Sequence, residues 1–138
     1  MRILIATGIF PPDIGGPATY SSLLAKTLPG KSGVEVEIVT YGPSGISRKI
    51  PKGIRHLLYF FICAWRARKA DIIFAQDTVS AGLPAYCAAK LTGKRFVIRV
   101  AGDYAWEQST QRYGIKDSID TFQEKTYTFP VEILRWVQ

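Results

Sequence analysis

The sequence predicts an α/β fold: a Rossmann-like parallel sheet with helices on both faces. Three observations carry this expectation. Short apolar runs alternate with segments of helical period along the chain. The first run, "RILIAT", is apolar nearly throughout, as a strand covered on both faces is. Hydrophobic residues make up 47% and charged residues 21%, the balance of a globular α/β protein. At 138 residues the chain suffices for one domain with a real core and is short for two, so residues 1–138 read as a single Rossmann-like domain.

The elements follow in order. Residues 2–7 form the first strand. From Gly16 the pattern turns helical, with Tyr20, Leu23, Leu24 and Leu28 on one face, Pro17 at a tolerant first-turn position, and Pro29-Gly30 as the stop. "VEVEIVTY", residues 34–41, is the second strand. Residues 42–54 are a basic, turn-rich loop with room for a short edge strand around 46–50. Residues 55–69 make a helix apolar almost all round, and "DIIFAQ" (71–76) a third strand. Residues 83–91 are helical, with Leu83, Tyr86, Cys87 and Leu91 on one side, and "RFVIRV" (95–100) is the fourth strand. A long irregular stretch, 101–129, follows, of the kind that is functional or disordered. "PVEILRWVQ" then opens a helix headed by Pro130, and its pattern breaks off as a cut would break it. Strands alternating with helices imply right-handed crossovers.

The formal charge of +7 predicts a basic face that meets an anion: a phosphorylated ligand, an acidic membrane surface or nucleic acid. Cys63 and Cys87 lie far apart inside apolar helical stretches, which reads as buried, reduced thiols. His56 has no ligand-type neighbour in sequence, so a local metal site is not expected. "LLYFFICAW" is too short to span a bilayer, and Met1 runs straight into a strand without room for a targeting peptide. The expected location is cytoplasmic.

Between the first strand and first helix stands "FPPDIGGPATY", residues 10–20. In an open parallel sheet, ligands bind beyond the carboxyl ends of the strands. Gly15-Gly16 at a helix N-terminus expose backbone N–H groups beside the positive end of the dipole, a place for phosphate. The alternative is a helix start that needs positive φ or close packing. Neither G-x-G-x-x-G nor G-x-x-x-x-G-K-[ST] occurs, which argues against dinucleotide and P-loop sites.

The stretch "FPPDIGGPATYSSLLAKTL", with "ADIIFAQD" and "AGLPAYCAAKLTGKRFVIRVAGDYAWE", resembles the N-terminal domain of retaining GT-B glycosyltransferases of family 4, over essentially the whole chain. That resemblance implies the following. Gly15 and Gly16 lie against the diphosphate of a nucleotide-sugar donor, with Pro11, Pro12 and Asp13 shaping the loop. Asp13 is either an acceptor contact or a turn-shaping carboxylate. Gly102-Asp103, with Tyr104, Trp106 and Glu107, faces the same cleft. Many relatives carry a histidine there, and this chain has "AGDYAWE" instead. Asp103 either orients a sugar hydroxyl and stabilises charge at the anomeric carbon, as a catalytic residue, or caps a helix. Tyr104 and Trp106 stack on sugar or pack the loop. Asp77 is an acceptor contact or a cap for the next helix. Arg99 pairs with an acid or points into the cleft.

The resemblance further implies a second, donor-binding domain absent from these residues, a glycan or lipid-linked acceptor, no cofactor beyond the nucleotide-sugar substrate, and no bound metal. Arg48, Lys49, Lys52, Arg55, Arg66, Arg68 and Lys69 are a solvated surface or a face for a membrane or an anionic acceptor, which would put the protein at the inner face of the membrane. The isolated chain is expected to be nearly inactive in single-turnover transfer. Rival readings are a non-enzymatic nucleotide- or sugar-phosphate-binding module, a nucleic-acid-binding domain and a receiver domain. Scattered cations without an aromatic-basic motif speak against nucleic acid, and the absence of an acidic pair after the first strand against a receiver.

Overall fold

The computed structural model describes residues 1–30, 33–41 and 50–137. The apolar runs become four strands, β1 (Arg2–Thr7), β2 (Glu35–Thr40), β3 (Ile72–Ala75) and β4 (Arg95–Ile98), in one all-parallel sheet ordered β2-β1-β3-β4. The connecting helices are α1 (Gly16–Thr27), α2 (Lys52–Ala67) and α3 (Gly82–Thr92). The chain runs from central β1 out to β2, back across to β3, and on to β4. Right-handed crossovers therefore put α1 on one face and α2 with α3 on the other. The predicted α/β, Rossmann-like class is the fold observed. The suggested edge strand, apart from Ile50, and the cations Arg48 and Lys49 lie outside the described residues.

Contacts divide the chain into two compact units, Met1–Arg99 and Val100–Gln138. In the first, Leu4, Ala6, Val39, Tyr41, Ile73 and Ala75 meet Tyr59, Cys63, Ala64 and Ala67 of α2 and Ala85, Ala88 and Ala89 of α3. Two helix faces differ from expectation. On α3 the buried residues are Gly82, Pro84, Ala85, Ala88 and Ala89, whereas Leu83, Tyr86 and Leu91 are exposed. On α1 the buried residues are Ala18 and Ser21, whereas Tyr20 and Leu23 are exposed. The reason is spacing: small side chains let a helix approach closely, and the large apolar residues are left outside. At Gly82 a Cβ would stand 3.3 Å from Ile98 Cδ1 of β4, and 2.1 Å from the Asp77 carbonyl oxygen of the turn that leads into α3. For the same reason Cys87 is exposed, against expectation. Cys63 is buried, and burial pushes its thiol up to about 12.

The second unit corrects the expectation of an irregular stretch at 101–129. It holds α4 (Tyr104–Tyr113) and α5 (Ile119–Glu124), followed by α6 (Phe129–Val137), with Pro130 in its first turn. Caps decide these short helices. Asp103 Oδ1 accepts from the Trp106 N–H at 2.8 Å, Ser118 Oγ from the Thr121 N–H at 3.3 Å, and Gly114 ends α4 at φ 67°. Ala105, Phe122 and Val131 form a small core with Trp106, Ile115, Tyr127 and Leu134 packed against it. A polar network joins them. Tyr127 donates to Asp117 Oδ2 at 2.6 Å, Lys125 lies 3.1 Å from Asp117 Oδ1, and Glu132 Oε1 accepts from the Tyr127 N–H at 2.9 Å.

Candidate functional site

The strand order reverses direction between β1 and β3, so the crevice of such a sheet opens where the β1–α1 and β3–α3 loops part. The first loop carries the proline pair. Pro11–Pro12 is cis, and the Asp13 N–H closes the turn on the Phe10 carbonyl at 3.0 Å. Pro11 and Pro12 are exposed and Ile14 is 99% exposed, so the loop projects into solvent before delivering the chain to α1.

The two glycines at its end differ. A Cβ on Gly15 would stand 2.6 Å from Ile9 Cδ1, so close packing is part of its explanation. Gly16 has nothing within 4 Å of its Cβ position, and neither residue lies in the left-handed region, Gly15 being extended at φ 160° and ψ 161°. The helix has no side-chain cap and no acidic residue in its first turn. With Pro17 lacking an N–H, the Gly16 and Ala18 N–H groups are left without partners inside the helix. The result is an electropositive helix end that its N-cap residue does not cap.

The second loop is stapled by Asp77. Its Oδ1 accepts from Ser80 Oγ at 2.9 Å, the Ala81 N–H at 2.8 Å and the Gly82 N–H at 3.4 Å. The capping alternative is thus the one its geometry realises. Its Oδ2 lies toward Gly8, 3.4 Å from where a Cβ would be. The loop is further tied by Tyr41, whose hydroxyl donates to the Ser80 carbonyl at 2.8 Å. Tyr41 stacks on Tyr59 at 4.2 Å, and the Tyr59 hydroxyl reaches the Val39 carbonyl at 2.8 Å and that of Thr7 at 3.2 Å. Burial pushes both phenols up well above their ordinary value, so they remain neutral donors.

Sequence reasoning missed a polar rung at the same end of the sheet. Register places Thr40, Thr7, Gln76 and Arg99 side by side: Thr7 pairs with Thr40, the Gln76 N–H bonds the Ala6 carbonyl at 2.9 Å, and the Arg99 N–H bonds Ala75 at 2.8 Å. By strand alternation all four follow the apolar row Ile38, Ile5, Phe74 and Val97 on the α1 face. Thr7 donates to the Ile9 carbonyl at 2.8 Å. Gln76 is only 1% exposed, and neither end of its amide has a hydrogen-bond partner. The Arg99 guanidinium lies 4.7 Å from the centre of the Tyr20 ring on α1, and its Nη1 also has no partner. The sequence signals were single residues: Arg99, singled out within the fourth strand, and Gln76, a polar residue that ends an apolar strand.

The remaining expected site residues belong to the second unit. Asp103 caps α4 through Oδ1, and its Oδ2 accepts from Gln123 Nε2 at 3.4 Å. Trp106 packs on the core of that unit and donates Nε1–H to the Asp117 carbonyl at 2.9 Å. Tyr104 is half-buried at the head of α4. The Glu107 carboxylate covers Gly102, with Oε1 2.6 Å from that residue's Cβ position. Among the described residues, no group of three or more His, Cys, Asp or Glu side chains is arranged to hold a metal ion. No family model matches the chain, and no curated protein matches it.

Proposed function

We propose that this chain is the acceptor-side domain of a retaining glycosyltransferase, supplying the glycine-loop wall of a nucleotide-sugar site. The observation that carries the reading is the α1 N-terminus. Gly16 has neither a positive φ nor a packing contact to explain it, yet it stands at an uncapped helix end at the sheet's switch point. In this reading the Gly15–Gly16 backbone faces the donor diphosphate, and the helix dipole stabilises charge that grows as the sugar leaves. Asp13 contacts the sugar or acceptor, and Asp77 works through its uncommitted Oδ2. A second domain completes the donor site, and the acceptor is a glycan or a lipid-linked glycan. The enzyme acts in the cytoplasm, at the inner face of the membrane when the acceptor is lipid-linked.

Calorimetric titration with UDP, UDP-glucose and GDP-mannose tests this, using the chain and its Gly16→Val variant. The valine has open space around its Cβ, so the variant folds and reports on the ligand alone. A helix end contributes up to about 2 kcal/mol to holding an anion, so the expected outcome is weak binding that falls roughly five- to thirtyfold in Gly16→Val. Nucleotide binding that is indifferent to the valine overturns the placement of the diphosphate.

A further inference from the structure

The helix expected to be apolar all round is buried on one side only. Tyr59, Cys63, Ala64 and Ala67 face the core, whereas Ile54, Leu57, Leu58, Phe61 and Trp65 are between 39% and 64% exposed. Their spacing, i, i+3, i+4, i+7 and i+11, forms one stripe about 17 Å long on the outer face of α2. An open groove lined by Phe61, Trp65, Arg68, Leu91 and Lys94 continues the stripe onto α3, where Leu83 and Tyr86 are also exposed. A contiguous apolar surface of this kind on a water-soluble chain marks an interaction site.

Charge identifies the occupant. Neither α2 nor α3 contains an aspartate or a glutamate. Arg68 and Lys90 are exposed, and Lys94 is half-buried at the groove; Lys69 lies apart, beside Glu35 and Glu37. Arg66 is engaged by Glu37 and adds nothing to this excess. An apolar stripe with a tryptophan near one end, set among cations with no acid between them, matches a surface of hydrocarbon beneath anionic headgroups. We propose that the outer face of α2, with α3 beside it, rests on an anionic lipid bilayer. The inference names the face behind the membrane location in the glycosyltransferase reading, and its observations stand on the surface of the first unit alone. No described helix is long and apolar enough to cross the membrane, so the contact is interfacial.

Cosedimentation with large unilamellar vesicles tests it without nucleotide. The chain is expected to partition at least roughly tenfold better onto phosphatidylcholine vesicles containing 30% phosphatidylglycerol than onto phosphatidylcholine alone, and to be released by salt. Phe61→Ser/Trp65→Ser should lower that partition roughly tenfold or more, and Arg68→Gln/Lys90→Gln should erase the preference for the anionic lipid. All four side chains are exposed, so the fold tolerates both double variants, which circular dichroism checks. Wild-type chain that ignores anionic vesicles, or a Phe61→Ser/Trp65→Ser variant that binds as well as wild type, overturns the proposal. So does a dimer, seen by sedimentation velocity, that is lost in the same variant while vesicle binding is absent; a second copy is then the occupant. UDP titration needs no lipid and this assay needs no nucleotide, so the two readings fail separately.

Discussion

The two units solve the problem of stability by different means. The first buries a continuous apolar layer between sheet and helices, and its perturbed groups, Tyr41, Tyr59 and Cys63, are all raised chiefly by burial. The second has three fully buried core side chains, and much of its order comes from caps and from hydrogen bonds that side chains make to backbone. The lesson concerns what each can lose. A layered core fails through cavities, and a small capped unit fails through its charges and its caps.

The largest effect should come from a cavity in the first unit. Tyr59→Ala removes a fully buried ring together with the hydroxyl that reaches the Thr7 and Val39 carbonyls. It should cost about 3–5 kcal/mol, read by urea denaturation. A cost below about 1 kcal/mol would show that the layer repacks and that the contrast between the units is overdrawn. Next is Gln76→Met, which replaces an unpartnered buried amide by a side chain of similar shape. It should raise stability by about 1–3 kcal/mol. A destabilised variant would mean that the amide is satisfied in solution by bound water.

Smaller again is the cap on α4. Asp103→Ala should cost about 1 kcal/mol and Asp103→Asn almost nothing, because asparagine caps as well as aspartate does. The pair separates cap from chemistry. In the two-domain protein of the proposed transferase reading, Asp103→Asn that folds normally but loses turnover gives the carboxylate a catalytic role, and undiminished turnover removes it.

The smallest effect is a pH dependence peculiar to the second unit. The Tyr127 hydroxyl first, and Lys125 after it, hold the Asp117 carboxyl below its usual range; the Tyr127 N–H, and then Arg135, do the same for Glu132. Both pKa values are lowered on folding. Their contribution is therefore complete above the ordinary carboxylate range and is lost as pH falls through the lowered values. Tyr127 is pushed up to about 12, by burial first and by Asp117 next, so its share is lost as pH rises through that value. Acid should therefore loosen the second unit before the first. Fluorescence of Trp106 in a Trp65→Phe/Trp136→Phe variant, set against that of Trp65 alone, would show whether the order is reversed.

Most of the architecture was legible because strand one, the later apolar runs and the prolines and glycines between them are local signals. Helix faces were not. Leu83, Tyr86, Cys87 and Leu91 share a side of α3 and are the obvious core by hydropathy, but alanines take the inside. Periodicity finds a stripe without saying which stripe a neighbouring layer can approach. The cap at Asp103 was one of the two readings given that residue, but the length of 101–129 outweighed it, and Ser118 drew no notice. Of the candidate site, the place of Gly16 at the start of α1 was legible from residue type and position. The polar rung was not, since Thr40, Thr7, Gln76 and Arg99 become neighbours only through strand register.

The staple at Asp77 has a thermodynamic consequence. Three hydrogen bonds to one carboxylate oxygen, a Tyr41 hydroxyl on Ser80, and a glycine with no room for a methyl group leave the 77–82 turn few conformations to give up. A ligand entering beside it meets a wall whose entropy was lost during folding. Its heat-capacity change on binding should therefore track the surface it covers, with no added contribution from ordering that turn.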